Sequence, residues 1–587
     1  MKSFPQLDAA LKQKKISLSA YKNLLLWLSN QKYKDFQEEL RDLINKGEWD
    51  KLNDAFFQVL PFGTSGRRGK VGIGPNRINK ITIGEVCQGL IDYLKNTSKA
   101  KNKIIVIAYD TRSTSKILAD WAASICATNG FQTYLFESPR SVPELSFSVR
   151  YLDADAGVMI SASHNPPSDN GIKIYFQDGA AMPEENSIIA TFAQKAKKIL
   201  VTDFLFLKEN KKIKLIGKEI DDAYINKVVQ ESLIPRQRSA KIVFSPLHGA
   251  GLTNVLPVLQ KAGFKNIFLV EEQSKPDGKF STIKNNLPNP EFEETAELTI
   301  KECKKLEADI GFFTDPDADR LGVVCRNKNG EYIFLDGNQI VSLLGFYILG
   351  ELKRQKRLNK NSFIAKTFLT TNLLTDLAKD FNIQIKKDLL VGFKYIVHTI
   401  ADGFIFGAEN TNGFLKGTYT RDKDAAVAAL LLAEFCSILK NKNKTLIDQL
   451  NELYKKYGLY QENLLEIPFE GAKNFLKIEK IMTKLRKKPP QKIADKKVLK
   501  IKDWFDKNNP LDSNAITFYL SKDNLNSITF RPSGTESFLK IYLQTHINLP
   551  PNISDEELEK EKIKAQEKSQ KFLNQLKNLF KKSANFH

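Results

Sequence analysis

KIIVIAYDTRSTSKILADWAASICATNGFQTYLFE, residues 103–137, sets two apolar runs on either side of a polar loop and a helix-length stretch that stops at Gly130. KIIVIAY (103–109) is short, continuous and rich in β-branched residues, which suits a strand covered on both faces. The glycine stop and the returning run FQTYLFE (131–137) make the unit strand, helix, strand. This alternation predicts an α/β fold. AGVMISAS (156–163) and GIKIYF (171–176) add two more strands, so Ser163 falls where a strand gives way to a loop.

The pattern restarts twice. AKIVFSP (240–246), a helix through LTNVLPVLQKAGF, the strand NIFLVEE and a second helix lead to ADIGFFTDPDADRLGVVC (308–325). A third unit runs from FIAKTF (363–368) through TNLLTDLAKDFN to FIFGAENTNGFL and the apolar helix DAAVAALLLAEFCSIL. These are three similar α/β layers with mixed sheets. After about residue 455 the texture becomes a lysine-rich link, followed by the strands AITFYL, SITFRP and FLKIYLQ and a charged helix from about 554, which reads as a smaller α+β domain. The expected boundaries are a helical extension over 1–50, then domains at 51–235, 236–335, 336–455 and 456–587.

Length and composition agree with that division. A chain of 587 residues, 42% hydrophobic, can bury several cores, and about 150 residues per domain gives about four. No stretch reaches the roughly 18 to 20 unbroken apolar residues of a membrane span, and the start lacks a signal-peptide core. Cys87, Cys126, Cys303, Cys325 and Cys436 are scattered and form no CxxC pair, which fits reduced thiols better than a zinc site. The expectation is a cytoplasmic protein without a membrane partner. The net charge of +21 gathers in runs such as KLRKKPPQKIADKKVLK (484–500), but no stacking aromatics are interleaved, so the lysines read as solvated faces and no nucleic-acid partner is expected.

Four polar, glycine-containing loops carry the chemistry. In TDPDADR, Asp315, Asp317 and Asp319 alternate with Pro and Ala just past the strand IGFF, so an extended turn can aim three carboxylates at one point. Three hard oxygen ligands with open positions suit Mg²⁺ shared with a phosphate, and Arg320 places a fixed cation beside it. RPSGTES (531–537) offers Arg531, the hydroxyls of Ser533 and Thr535, and backbone donors around Gly534, an anion nest. GTSGRRG (63–69) is similar, with Thr64, Ser65, Arg67 and Arg68 able to cradle a phosphate. In AENTNGFLKGTYTRDKDAA (408–426), Glu409 and Thr411 can bind sugar hydroxyls while Arg421 and Lys423 supply charge. A fifth chemical element is SASHNP (161–166). With a metal and arginines neutralising a phosphoryl group, Ser163 can accept and donate phosphate, and His164 can shuttle a proton or orient substrate. Acyl transfer by a Ser-His pair is disfavoured, because adjacent residues on an extended turn diverge and no GxSxG elbow is present.

These motifs resemble those of the α-D-phosphohexomutase superfamily, most closely its phosphoglucomutase/phosphomannomutase branch, over about residues 50 to 545. TSGRRG, SASHNP, DPDADR and RPSGTES stand in the family order, and FSPLHGAG (244–251), AYDTR (108–112) and VGFKYI (391–396) also look like family segments. The resemblance implies four domains around a central cleft, each giving one loop. It implies that Ser163 is phosphorylated, that Asp315, Asp317 and Asp319 hold Mg²⁺ with a phosphoserine oxygen, and that Arg68, His164 and Lys423 act as acid/base or charge-stabilising groups. Thr64, Ser65, Arg320 and Arg421 accompany them around the substrate, Glu409 and Thr411 match the sugar loop, and Arg531, Ser533, Gly534 and Thr535 match the loop for the non-reacting phosphate. The implied reaction interconverts glucose 1-phosphate and glucose 6-phosphate through a bound hexose 1,6-bisphosphate, in a monomer or dimer whose partners are sugar phosphates. Relatives acting on mannose or pentose phosphates are the alternatives. One departure bears on the sugar: ENTNG (409–413) stands where relatives commonly have EES or EMS, so Asn410 removes a charge. A metal-dependent phosphatase using Asp315 as nucleophile, or a basic scaffold, would leave SASHNP and the phosphate loop unexplained.

Overall fold

The computed structural model describes residues 4–63, 66–196, 198–469, 474–507, 513–533 and 538–584. It begins with a helical block, Pro5–Lys12, Leu18–Ser29, Gln31–Phe36, Gln37–Asn45 and Trp49–Phe56. Leu7, Leu24, Trp27, Leu40 and Phe56 form its own small core, with Trp27 stacked on Tyr33 at 4.4 Å.

The first sheet contains β1 (Gly66–Lys70), β2 (Ile104–Tyr109), β3 (Gln132–Phe136), β4 (Ala156–Ile160), β5 (Asp169–Phe176) and β6 (Ile213–Ile216), in the order β1-β5-β4-β2-β3-β6. Strands β2, β3, β4 and β6 pair in parallel, while β5 runs antiparallel to both β4 and β1. Helices Lys80–Asn96 and Ser115–Thr128 cover one face through Val86, Leu90, Ala122 and Ile125.

The second sheet has β7 (Ile242–Ser245), β8 (Ile267–Leu269), β9 (Ile310–Thr314), β10 (Leu321–Arg326) and β11 (Tyr332–Leu335), in the order β11-β10-β9-β7-β8. The third has β12 (Phe363–Thr367), β13 (Gln384–Leu389), β14 (Phe404–Glu409) and β15 (Gly413–Lys416), in the order β13-β12-β14-β15. Both repeat the plan of the first: parallel strands, then one reversal to an antiparallel neighbour, β9 to β10 and β14 to β15. The fold class read from the sequence, three mixed-sheet α/β layers and a smaller C-terminal domain, is the one observed. NIFLVEE is shorter than expected as a strand, since a helix takes over at Glu271.

The C-terminal domain is built on an antiparallel sheet. It contains β16 (Leu459–Pro468), then a separate hairpin of β17 (Lys492–Ile493) and β18 (Lys496–Lys497), then β19 (Lys500–Asp503), β20 (Ile516–Tyr519), β21 (Ser527–Pro532) and β22 (Phe538–Ile547). The main sheet runs β16-β22-β21-β20-β19. Much of the stretch read as a lysine-rich link is therefore ordered: β16 pairs with β22 over its whole length, and the helix Asn474–Lys487 buries Ile478 and Met482 against Phe518 and Ile541. The lysines of that helix cover its outer face, and their polarity masked the apolar one. The helix Asp555–Ala584 closes the chain.

Three site-bearing loops occupy equivalent places. Each connects the last parallel strand to its antiparallel neighbour: residues 161–168 between β4 and β5, 315–320 between β9 and β10, and 410–412 between β14 and β15.

Candidate active site

The serine loop is held from behind. A reversal of this kind strands several backbone carbonyls away from water, and these need donors. Arg112, buried on the loop after β2, supplies them: its guanidinium donates to the carbonyls of Ser163 and Asn165 at 2.5 Å, Pro166 at 2.6 Å and Asp169 at 3.0 Å. Arg112 is anchored in turn by Asp110 at 3.2 Å and lies over the Phe280 ring. Ser163 itself takes φ of 52°, a left-handed conformation that costs a non-glycine residue free energy and persists because the surroundings fix it.

That conformation points the Ser163 hydroxyl into the carboxylate cluster. Ser163 Oγ donates to Asp315 Oδ2 at 2.7 Å and lies 3.1 Å from His164 Nδ1. Ser161 completes the connection, its hydroxyl donating to Asp317 Oδ2 at 2.9 Å while accepting from the Ser163 N–H at 2.8 Å. Asp315, Asp317 and Asp319 are all buried, and each presents an oxygen within 4.8 Å of the others. The backbone turns through Ala318 at φ of 49° to bring them together.

Three like charges so close and so buried demand cations. Lys173 on β5 reaches Asp317 at 2.7 Å and Asp319 at 3.9 Å; Lys423 reaches Asp319 at 2.8 Å. Burial, reinforced by Asp319 and Asp317, pushes Asp315 well above the carboxylate range. Burial acts on Asp317 in the same direction, but Lys173 outweighs it and holds that carboxyl low. Asp317 Oδ1 and Asp319 Oδ1 are buried with no hydrogen-bond partner. Such oxygens at the focus of a three-carboxylate turn fit a hard divalent cation, with Asp315, Asp317 and Asp319 as its ligands.

Around this centre stand the other residues read from the sequence. Arg68 donates to the Ala162 carbonyl at 3.4 Å, one residue before the serine. Burial, then the charges of Arg320, Arg68, Lys540 and Lys173, lower His164 well below its ordinary value, so the imidazole is neutral. Arg320 is paired with Glu291. Glu409 is buried beside Lys423, close enough that a Cβ on Gly413 would touch both side chains, and burial raises its carboxyl against the opposing pull of Lys423, Arg320 and Thr411. Burial lowers Lys423, but Asp319, Asp422 and Glu409 prevail and keep it charged. The sugar-loop candidates and the carboxylate turn are joined by Asn412, which donates to the Leu321 carbonyl at 2.9 Å and accepts the Leu321 N–H through its own carbonyl at 3.1 Å.

Not every candidate faces the cluster. Arg421 pairs with Asp178 at 3.2 Å and bonds the carbonyl of Thr418 at 2.8 Å. Arg67 is a correction to the reading of GTSGRRG as one cradle: it is 2% exposed, packed over Phe62 and paired with Glu85, because successive residues of a strand point to opposite faces. Arg531 lies on β21 opposite Lys540 on β22, and Ser533 is buried with its N–H bonded to the Phe538 carbonyl at 2.9 Å. Thr64, Ser65, Gly534 and Thr535 lie outside the described residues. Lys173, Ser161 and Glu291 were not singled out in the sequence. For Lys173 a signal existed, a lysine at the centre of the apolar strand GIKIYF.

Three α/β layers and an antiparallel domain that surround a serine, a carboxylate triad and several lysines and arginines define a protein that handles an anionic group beside a divalent cation. The chain matches the family models for phosphoglucomutase/phosphomannomutase α/β/α domains I, II and III at residues 60–199, 222–330 and 336–457. A phosphoglucomutase of Staphylococcus haemolyticus is 35% identical over 511 residues, 84% of this chain and 92% of that protein. Among solved structures, pp63/parafusin of Paramecium, a phosphoglucomutase in its open form, aligns with a TM-score of 0.63 at 18% identity, covering 85% of this chain and 94% of that one. A phosphoglucomutase/phosphomannomutase family protein of Burkholderia thailandensis aligns with a TM-score of 0.62 at 17% identity, covering 87% and 96%. The chain belongs to the phosphoglucomutase/phosphomannomutase family, within the α-D-phosphohexomutase superfamily. It is an enzyme of the isomerase class that transfers phosphoryl groups within its substrate. Among the described residues no helix is long and apolar enough to cross a membrane.

Proposed function

We propose that the protein is a phosphoglucomutase that interconverts glucose 1-phosphate and glucose 6-phosphate through a phosphoserine at Ser163 and a bound glucose 1,6-bisphosphate. The observation that carries the reading is the Ser163 hydroxyl, 2.7 Å from Asp315 and 3.1 Å from His164 Nδ1. A hydroxyl delivered in a strained backbone to three carboxylates has no structural purpose of its own, whereas phosphoryl transfer needs mainly position and charge.

Ser163 carries the phosphoryl group in the resting enzyme. The free sugar hydroxyl attacks phosphorus, its P–O bond forms as the Ser163 Oγ–P bond breaks, and the hydroxyl proton passes to His164 or solvent. The bisphosphate then turns around, and Ser163 Oγ accepts the other phosphoryl group by the same exchange in reverse. Asp315, Asp317 and Asp319 would hold Mg²⁺, which supplies positive charge to the phosphoryl oxygens. Arg68, Lys423 and Arg320 hold the remaining charge around the reacting group, Glu409 and Thr411 orient sugar hydroxyls, and Arg531 with Ser533, Gly534 and Thr535 grips the phosphate that is not reacting. On the same family motifs, Thr64, Ser65 and Arg421 would add to the binding of the substrate.

Intact-mass measurement of the purified protein, with and without glucose 1,6-bisphosphate, tests the relay. A stable added phosphate that maps to Ser163 and disappears in Ser163→Ala is expected. A labile acyl phosphate on Asp315 would instead make the protein a phosphatase.

A further inference from the structure

The helical block over Pro5–Phe56 lies before the first matched family segment, which begins at residue 60. It nevertheless reaches the catalytic layer through a chain of charges. Lys32 Nζ lies 2.8 Å from Glu85 Oε1 on the helix Lys80–Asn96 and also donates to the Ala196 carbonyl at 3.0 Å. The other oxygen of Glu85, Oε2, lies 3.3 Å from Arg67 Nη1, and that same nitrogen donates to the Thr82 carbonyl at 3.4 Å. Arg67 is the buried end of the chain, 2% exposed, with its Nε unpartnered. A guanidinium so placed depends on Glu85 for its counter-charge, and Glu85 is itself held by Lys32.

What makes the chain more than a structural staple is the strand that it grips. Arg67 and Arg68 are neighbours on β1, so fixing one on the buried face fixes the direction of the other toward the Ala162 carbonyl. The packing beneath allows little slack. A Cβ on Gly66 would lie 1.8 Å from the Ile172 carbonyl oxygen, and a Cβ on Gly171 would lie 2.7 Å from the carbonyl oxygens of both Arg67 and Ser161. Strand β1 is thus in backbone contact with β5, which carries Lys173, and a displacement of Arg67 has nowhere to dissipate before it reaches Ser161 and Lys173.

We propose that Lys32, Glu85 and Arg67 are positioning residues, a relay by which the N-terminal helical block sets the place of Arg68 against the serine loop. The proposal rests on the reading of Ser163 as the phosphoryl carrier. Because misplacing a charge-stabilising group hurts the transition state more than the bound substrate, the relay acts on kcat rather than KM.

The test uses Lys32→Met, Lys32→Arg and Glu85→Gln in the full chain, each with and without Arg68→Lys, measured by mutase kinetics and thermal melting. Lys32→Met is expected to lower kcat by about 2- to 30-fold with KM within about twofold, and Glu85→Gln by more. Lys32→Arg restores the rate, and in the Arg68→Lys background Lys32→Met adds no further loss. A lowered melting temperature with kcat unchanged, or losses that simply multiply with that of Arg68→Lys, would overturn the relay. Should Glu85→Gln fail to fold, the Lys32 pair decides alone, since its replacement leaves Glu85 paired with Arg67. Failure of the phosphoserine reading has a different signature: native protein without phosphate on Ser163 and without bisphosphate-dependent turnover.

Discussion

The serine-carboxylate centre and the C-terminal domain are built on opposite principles. The centre sits against one continuous core that runs from Val106 in the first sheet through Phe244 in the second to Ile364 in the third. The C-terminal sheet has a core of its own, Ile467, Phe518, Phe530 and Ile541, and meets the third layer over a small contact in which Phe368 stacks on Trp504 at 3.9 Å. The main covalent and helical ties are β16 and the closing helix, whose Leu558 and Ala565 pack in the large core while Leu573 and Leu576 pack in the small one. The chemistry is thus fixed against the largest core, and the strand end with Arg531 and Ser533 is carried by a separately cored unit. Changes at the centre therefore ought to damage turnover, and changes on the C-terminal unit ought to damage binding.

The sharpest way to break this contrast is to remove the Ser163 hydroxyl. Ser163→Ala is expected to reduce mutase turnover by at least about a thousandfold, because the relay has no second acceptor, while glucose 1-phosphate still binds. Coupled-assay kinetics together with calorimetric titration check both halves. Turnover near the native rate would place the chemistry elsewhere.

Asp317→Asn comes next. It removes the charge that Lys173 answers at 2.7 Å and leaves one oxygen where the carboxylate had two. We expect kcat to fall by about 10²- to 10³-fold with a smaller change in KM, and the Mg²⁺ concentration for half-maximal rate to rise. Stripping divalent cations with a chelator abolishes turnover, and readdition restores it. An unchanged metal requirement in Asp317→Asn contradicts the assignment of the triad.

The C-terminal unit gives the complementary result. Arg531→Ala is expected to weaken both glucose 1-phosphate and glucose 6-phosphate, at about 1.5 to 3 kcal/mol for the lost charged hydrogen bond, leaving kcat much less affected. Equal weakening of the two isomers sharpens the comparison; loss for only one removes the shared phosphate grip.

How much of this the sequence discloses follows the same division. The loops were legible because each concentrates polar residues directly after an apolar strand, and three of the four lie at the same kind of strand reversal. Long-range support was not: Arg112 holds carbonyls more than fifty positions away in the chain, and nothing local to AYDTR says which. Arg67 and Arg68 look alike in TSGRRG, and only the alternation of β1 separates the buried one from the one beside Ala162. Strand β16 was hidden by its composition, since LYQENLLEIP mixes polar and apolar residues and owes its conformation to ten paired positions on β22. Such pairing is a tertiary property that no propensity reports.

The smallest expected effect concerns the sugar. Asn410 stands beside Glu409 in the sugar-loop motif ENTNG, and its side-chain oxygen is buried without a hydrogen-bond partner. Its position is not free to adjust, because a Cβ on Gly337 would lie 2.1 Å from the Asn410 carbonyl oxygen. An amide can donate as well as accept, whereas a carboxylate only accepts, so Asn410 can favour a different hydroxyl pattern at the ring. Glucose and mannose phosphates differ in the orientation of one hydroxyl, and one hydrogen bond gained or lost at a buried amide is worth about 1 kcal/mol, or roughly fivefold in selectivity. We expect glucose 1-phosphate to have the highest kcat/KM among the glucose, mannose, N-acetylglucosamine, glucosamine and ribose 1-phosphates. Asn410→Glu should move the glucose-to-mannose ratio by about fivefold while leaving the phosphorylation of Ser163 intact. A tenfold or greater preference for any other sugar in the native protein would overturn the glucose assignment. A ratio unmoved by Asn410→Glu would place discrimination on Glu409 and Thr411 alone, still at the third layer and still apart from the phosphoryl relay.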